Sequence, residues 1–315
     1  MTAVTRHLPW LALVLLALGS TFPIDAGSSS ATETTVAVSS APDETLPPVA
    51  EDSVRFAVLG DTGTGGTAQR EVGARLAQSH RVFPYEFVLL LGDNLYGSER
   101  PQDFAKKFEL PYKPILDRGI QFYASLGNHD DPNQRFYQPF NMSGQRFYTF
   151  RKGDVRFFAL DSNYMDKDQQ AWLERELANS DSKWKIAFHH HPLYSSGARH
   201  GSEEDLRAIV EPLFVKHGVS VVFAGHEHFY ERLKPQKGIF HFTNGAAAKL
   251  RAGNIRVGAL TAKGFDTDHS YMLVEIAGDE LHFQTLSRPG KRVDSGTIQV
   301  RSAATDTSKE MDSWH

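Results

Sequence analysis

Three apolar runs in this chain end in the same way, and that repetition constrains the fold more than any other feature. Val54-Arg55-Phe56-Ala57-Val58-Leu59 runs into Gly60-Asp61-Thr62-Gly63. Phe87-Val88-Leu89-Leu90-Leu91 runs into Gly92-Asp93-Asn94-Leu95-Tyr96, and Phe122-Tyr123-Ala124-Ser125-Leu126 into Gly127-Asn128-His129-Asp130. Short apolar runs bounded by glycine read as buried strands. Each therefore carries an oxygen-bearing side chain to the carboxyl end of a strand, where open α/β sheets gather their ligands. Two later strand ends carry histidines, His189-His190-His191-Pro192 and Gly225-His226-Glu227-His228. One aspartate after a glycine is as readily a helix cap or a turn residue. Five such ends in one chain point to a two-metal centre.

Between these ends the pattern alternates. Strands are expected at 53–60, 86–91 and 121–126. Ala68 to Ser79 has helical spacing through Val72 and Leu76, and a helix around 102–109 is expected to break at Pro111 and Pro114. Pro132 to Gln145 reads as a long polar, aromatic loop. Strands near 146–151 and 155–161 are joined by Lys152-Gly153-Asp154, a hairpin-type connection. Asp168 to Asn179 is an amphipathic helix with Trp172, Leu173 and Leu177 on one side. Strand 184–189, a helix near 203–216 and strand 219–224 lead to the second histidine cluster. Further strands are expected at 239–243, 271–276, 280–286 and 296–300. Early βα units and a β-rich end predict one α/β domain over 51–301, two packed sheets with helices outside.

The ends of the chain read differently. Residues 1–26 have a basic start, an apolar stretch from Leu8 to Leu18 and small residues up to Ala26, the pattern of a secretory signal peptide. The other reading is an uncleaved anchor, but the run is about half the ~20 residues needed to span a bilayer. Residues 27–50 are rich in Ser, Thr, Ala and Pro and read as a flexible linker. Residues 302–315 read as a disordered polar tail. The chain has no cysteine, which excludes disulfides, thiolate metal sites, a cysteine nucleophile and a lipid anchor on cysteine. A net charge of −4 gives no reason to expect nucleic acid as partner.

The histidines can be read further. His226 and His228 lie two apart after a glycine, a spacing that lets them serve two ions lying side by side. In the triplet, a period of two puts His190 opposite His189 and His191, so one or two of the three are ligands.

Taken in order, Asp61-Thr62-Gly63, Gly92-Asp93-Asn94-Leu95-Tyr96, Gly127-Asn128-His129-Asp130, Ala187-Phe188-His189-His190 and Gly225-His226-Glu227-His228 resemble the five metal motifs of the calcineurin-like metallophosphoesterases. Tyr96, three residues after Asp93, narrows the likeness to the purple (tartrate-resistant) acid phosphatases. The length resembles that of their small, mammalian-type members. The resemblance spans residues 53–286. It implies the metallophosphoesterase four-layer β-α/α-β sandwich, two mixed sheets flanked by helices. It also implies that Asp61, Tyr96 and His228 bind a first metal, that Asp93 bridges, and that Asn128, His190 and His226 bind a second. The family's ligand histidine lies two residues before a proline, which selects His190. His189 stands where relatives carry a small or apolar residue.

The donor chemistry agrees with that assignment. Two carboxylates, a phenolate and an imidazole suit Fe(III), because a phenol of pKa near ~10 needs a strong Lewis acid to lose its proton at acid pH. A shared carboxylate, an amide and two imidazoles suit divalent Fe, Zn or Mn. The implied activity is hydrolysis of phosphate monoesters by a hydroxide held at a two-metal centre, the ions about 3.5–4 Å apart. His129 is expected to face substrate and help protonate the leaving group. His200 resembles a second substrate-facing histidine, one residue further from Pro192 than in relatives. Arg199 reads as a solvated loop residue, and Asn244-Gly245-Ala246-Ala247 as a pocket lining or a tight strand exit. Expected partners are small phosphorylated substrates or phosphoproteins, with no nucleic acid, no membrane after signal cleavage, and a monomeric chain that is secreted or periplasmic. The alternatives are a phosphodiesterase of the same superfamily and a non-catalytic exported metal-binding module. Iron redox chemistry is compatible as a side activity.

Overall fold

The structure, a computed structural model, describes residues 49–301. The expected signal peptide, nearly all of the expected linker and the tail after 301 lie outside the described residues. In chain order the elements are β1 (Val54–Leu59), α1 (Thr67–Ser79), β2 (Phe87–Leu91), α2 (Pro101–Phe104), α3 (Leu110–Leu116), β3 (Gln121–Ser125), β4 (Tyr148–Lys152), β5 (Val155–Ala159) and α4 (Lys167–Ala178). There follow β6 (Trp184–His189), α5 (Glu204–His217), β7 (Val221–Ala224), β8 (Tyr230–Leu233), β9 (Phe240–Asn244), β10 (Thr261–Phe265), β11 (Ser270–Ala277), β12 (Glu280–Ser287) and β13 (Arg292–Gln299).

Two mixed sheets form, in the orders β13-β12-β11-β1-β2-β3 and β10-β8-β9-β7-β6-β5-β4. Within each, a parallel run carries the site: β1, β2 and β3 in the first, β5, β6, β7 and β9 in the second. Period-two alternation then divides the apolar residues between two faces. Phe56, Val58, Phe87 and Leu89 meet Phe157, Ile186, Phe188 and Phe223 in a core between the sheets. Ala57, Leu59, Val88 and Leu90 turn outward against Val72 and Leu76 of α1 and Tyr112 and Ile115 of α3. On the second sheet Phe158, Ala187 and Val222 turn toward Leu173 of α4 and Val210 of α5. The layers run helices, sheet, sheet, helices, so the two expected packed sheets with helices outside are what the chain adopts. Among the described residues no helix is long and apolar enough to cross a membrane.

Three details differ from expectation. Pro111 and Pro114 do not end the helix: it runs from Pro101 to Leu116 through a wider π segment at Ala105–Glu109, where Leu110 N–H donates to the Ala105 carbonyl. The Lys107 carbonyl, left without a donor by Pro111, accepts instead from Gln69 Nε2 at 2.6 Å. The hairpin pairs Lys152 with Val155, so Gly153 and Asp154 alone make the turn. Strands β8 and β10 were not expected, because β8 reads Tyr-Glu-Arg-Leu. Its two charges are answered at long range: buried Glu231 accepts from Thr261 Oγ1 at 2.8 Å, and Arg232 Nε donates to Asp294 at 2.7 Å.

Candidate metal centre

The carboxyl ends of the two parallel runs meet, and the five punctuated strand ends converge there. The approach is close enough that a side chain at two glycines would not fit. A Cβ on Gly127 would lie 2.2 Å from Asp93 Oδ1, and one on Gly225 2.8 Å from Asp61 Oδ2. Asp61, Asp93 and His226 have φ of 57°, 52° and 68°. Left-handed backbone at a residue with a Cβ costs roughly 1–2 kcal/mol, and its recurrence at three residues of one cluster is the kind of strain that functional sites retain.

One group centres on Asp61. Its Oδ1 accepts from Tyr96 OH at 3.0 Å and lies 3.3 Å from His228 Nε2, while Oδ2 accepts from His226 N–H at 2.8 Å. Burial, and then the neighbouring Asp93 carboxylate, pushes Asp61 well above the usual carboxylate range. Burial and the same two carboxylates push the Tyr96 phenol up as well. Burial, with help from Arg251, holds His228 down at about 4. Donor atoms of Asp61, Asp93 and His228 all lie within 4.8 Å of one another.

The other group centres on His190. Nδ1 lies 2.8 Å from the Leu91 carbonyl, which can only accept, so Nδ1 carries the proton and Nε2 presents a lone pair. That lone pair faces Asn128 Oδ1 at 3.0 Å, His226 Nδ1 at 3.1 Å and Asp93 Oδ1 at 3.4 Å. Burial, and then His191, lowers His190 far below its ordinary value; burial, and then His190, holds His226 at about 2. These imidazoles are neutral and able to coordinate. A lone pair aimed at oxygens, beside two buried carboxylates, is unfavourable until a cation stands between them. The residues present therefore fit two metal ions, one at each group.

All seven expected ligands lie in this cluster. The structure adds His191, which offers a ring nitrogen within 4.8 Å of those of His190 and His226 and bonds Ser162 Oγ through Nδ1 at 2.8 Å. The resemblance selected His190 alone, and period-two logic could not add His191 because β6 ends at His189: beyond the strand, alternation no longer governs direction. His189 itself shares the face of Ala187, toward the helices, is fully buried and has no partner at either ring nitrogen among the described residues.

Two carboxylates, half-buried Asp130 and buried Glu227, brace the loops. Asp130 accepts from Leu95 N–H and Gly127 N–H at 3.0 and 2.8 Å and from Gln134 Nε2 at 2.8 Å; burial, and then Asp93, raises it to about 8. Glu227, fully buried between His226 and His228, accepts from the backbone of His200 and Gly201 at 3.2 and 2.9 Å and from Asn254 Nδ2 at 3.1 Å. Neither role is legible in the sequence, since each joins loops far apart in the chain.

His129 is exposed; its backbone N–H donates to Asp93 Oδ1 at 3.0 Å and its ring lies 5.0 Å from that of Tyr96. His200 stacks on His226 with ring centroids 4.3 Å apart, and exposed Arg199 Nε lies 3.2 Å from His200 Nε2. Gly245 packs beneath the centre: a Cβ there would lie 2.6 Å from Asp61 Oδ2, so the Asn244–Ala247 stretch is a tight strand exit.

The model of the calcineurin-like phosphoesterase family matches residues 54–230. Purple acid phosphatase 17 of Arabidopsis thaliana is 24% identical over 75% of this chain and 85% of its own length. Tartrate-resistant acid phosphatase type 5 of Oryctolagus cuniculus is 26% identical over 62% of this chain and 74% of its own. In fold the chain is similar to the purple acid phosphatase PPD1 of yellow lupin (Lupinus luteus) seeds, with a TM-score of 0.68 and 18% identity, over 78% of this chain and 54% of that one.

Proposed function

The chain belongs to the calcineurin-like phosphoesterase family, and from that premise we propose that it is an exported acid phosphatase that hydrolyses phosphate monoesters with Fe(III) and a divalent Fe, Zn or Mn ion. Tyr96 carries the reading: its hydroxyl lies 3.0 Å from Asp61 Oδ1 and 3.4 Å from His228 Nε2. A phenol set among buried carboxylates and an imidazole loses its proton only to a strong cation. The resemblance to purple acid phosphatases supports the same choice. Asp61, Tyr96 and His228 would hold the ferric ion, Asp93 would join both, and Asn128, His190 and His226 would hold the divalent one. Once bound, such ions supply Lewis acidity, withdrawing charge from phosphoryl oxygens and making water more acidic.

The chain's own groups supply the rest. Asp93 Oδ1 fixes the His129 backbone beside Asn128, and the exposed imidazole stands 5.0 Å from the Tyr96 ring. There it would hand a proton to the departing oxygen at acid pH. Glu227 holds the His200 backbone, and the imidazole stacked on His226 closes a second side. The P–O ester bond breaks, water provides the new P–O bond, and alcohol and inorganic phosphate leave. Export rests on the leader-like residues 1–26. The expected substrates are small phosphorylated compounds or phosphoproteins, taken by a monomer with no nucleic acid or membrane partner after the leader is removed.

The test is a pH scan of p-nitrophenyl phosphate hydrolysis after loading with ferric iron and then zinc or ferrous iron, with bis(p-nitrophenyl) phosphate alongside. An optimum below pH 7 with little diester turnover supports the reading. Preference for the diester replaces it with a phosphodiesterase. No turnover of either, with two metals bound per chain, leaves a metal-binding module.

A further inference from the structure

A cavity of about 400 Å³ opens from the centre past Asn128 and His191, and Asp161, Asn163, Tyr164 and Glu203 form much of its wall. No lysine or arginine lines it. Its floor is fixed. Asp161 Oδ1 accepts from Asn163 N–H at 3.0 Å, its Oδ2 holds Arg146 Nη1 at 2.6 Å, and Arg146 also binds Asp166 at 2.6 Å. One guanidinium thus answers two carboxylates and leaves none of its charge for a ligand. The half-buried Glu203 carboxylate has no hydrogen-bond or ion-pair partner among the described residues, and the Tyr164 side chain is 64% exposed.

Outside the cavity, beside Tyr96, the sign is the other one. Lys249 Nζ stands 4.3 Å from the centroid of the Tyr96 ring, and no carboxylate pairs with it among the described residues. The centre therefore has an uncompensated cation beside Tyr96 and an acidic cavity past Asn128 and His191. A phosphate dianion over the metal ligands is favoured by the cation, and any group carried into the cavity meets carboxylate and an aromatic face. An anionic leaving group is repelled there. An ammonium is attracted to Glu203, and a quaternary one gains from the Tyr164 ring as well.

Resting on the phosphatase reading, we infer that the cavity is the leaving-group site and that it selects phosphate monoesters of amino alcohols, compounds with an ammonium a few bonds from the ester oxygen. Hydrolysis of such an ester releases the amino alcohol, its oxygen protonated, and inorganic phosphate. Lys249 takes no part in holding the ammonium; it favours the phosphate end of the same dipolar molecule.

The experiment compares kcat/KM for phosphoethanolamine, phosphocholine, glycerol 2-phosphate and 3-phosphoglycerate, with p-nitrophenyl phosphate as the reference ester. The metal-loaded wild type is set beside Glu203→Gln, Glu203→Lys and Tyr164→Ala at low and high salt. The ammonium esters should exceed glycerol 2-phosphate by roughly five- to tenfold, and 3-phosphoglycerate should fall below it, a contrast that salt reduces. Glu203→Gln should bring the ratio of phosphoethanolamine to glycerol 2-phosphate toward one, Glu203→Lys should invert it, and Tyr164→Ala should lower phosphocholine more than phosphoethanolamine. Independently of turnover, choline should shift the backbone resonances of Asn163 and Tyr164 in metal-free wild type and not in Glu203→Gln. A flat or reversed order in an enzyme that hydrolyses p-nitrophenyl phosphate overturns this inference alone. Failure to hydrolyse any ester overturns the phosphatase reading and this inference with it.

Discussion

His190 Nε2 and Asn128 Oδ1 face each other at 3.0 Å with no proton between them, because His190 spends its proton on the Leu91 carbonyl. Two acceptors at that distance repel, and both are stabilised by a cation. Chelation should therefore lower stability as well as activity. Each ion present at about 100 times its dissociation constant contributes roughly 3 kcal/mol, or about 6–12 °C in Tm for a domain of this size. Calorimetry of loaded and stripped protein checks this; equal Tm values would remove the cation from the argument.

Tyr96→Phe removes the only group expected to give a ferric protein its visible colour. Loaded with ferric iron, the variant should lose its absorption in the visible range. Free of metal, the variant should change little in thermal stability, because the lost hydrogen bond to Asp61 is worth about 1 kcal/mol. An unchanged spectrum would show that the phenol is not bound to iron.

His129→Ala should show a leaving-group dependence. If the imidazole protonates the departing oxygen, an alkyl phosphate should lose roughly 10²-fold or more in kcat. p-Nitrophenyl phosphate, whose leaving group departs without help, should lose much less. Equal losses on both esters would instead mean that His129 positions the loop.

Glu227→Ala should be among the most damaging substitutions outside the metal ligands. It strips partners from the His200 and Gly201 N–H groups and from Asn254, and leaves Arg251 without its nearest carboxylate. Breaking a buried charged network of this kind costs about 3–5 kcal/mol. Hydrogen exchange should quicken at His200 and Gly201 in particular. Protection retained at both amides would mean that Glu227 does not hold the loop.

His241 gives the acid response a defined sign. Burial, and then Arg207, lowers it to about 3, and its Nε2 has no partner among the described residues. In the unfolded chain it titrates near 6.5. Between about 6.5 and 3 the unfolded state binds one more proton, so the folded state loses up to about 1.4 kcal/mol per pH unit as pH falls through that window. His241→Leu should remove that slope. Urea denaturation at pH 7.5 and 4.5 should show the variant losing less stability than wild type; parallel losses would refute the assignment.

The strand ends that carry Asp61, Asp93, Asn128 and His226 were legible because a buried strand stopped by glycine is a local pattern, complete within ten residues. The likeness to known metal motifs turned that pattern into a ligand set. Strands β8 and β10 were not legible, because Glu231 and Arg232 look unsuited to a buried strand until Thr261 and Asp294, 30 and 62 residues away, answer them. The proline-rich helix was misjudged for the same reason: Gln69, distant in the chain, takes the carbonyl that Pro111 leaves free.

By itself the sequence determined the α/β layering, the order of the ligand-bearing turns and the chemical class of the centre, all of which depend on residue type and short-range spacing. Only the tertiary structure decided that His191 joins the centre while His189 faces the helices, that Asp130 and Glu227 brace the loops, and that Lys249 stands over Tyr96 while Glu203 lines the cavity. Those outcomes depend on where a strand stops and on which loops are brought together from two sheets. Side-chain direction and charge compensation across such distances are properties of packing, and no local pattern encodes them.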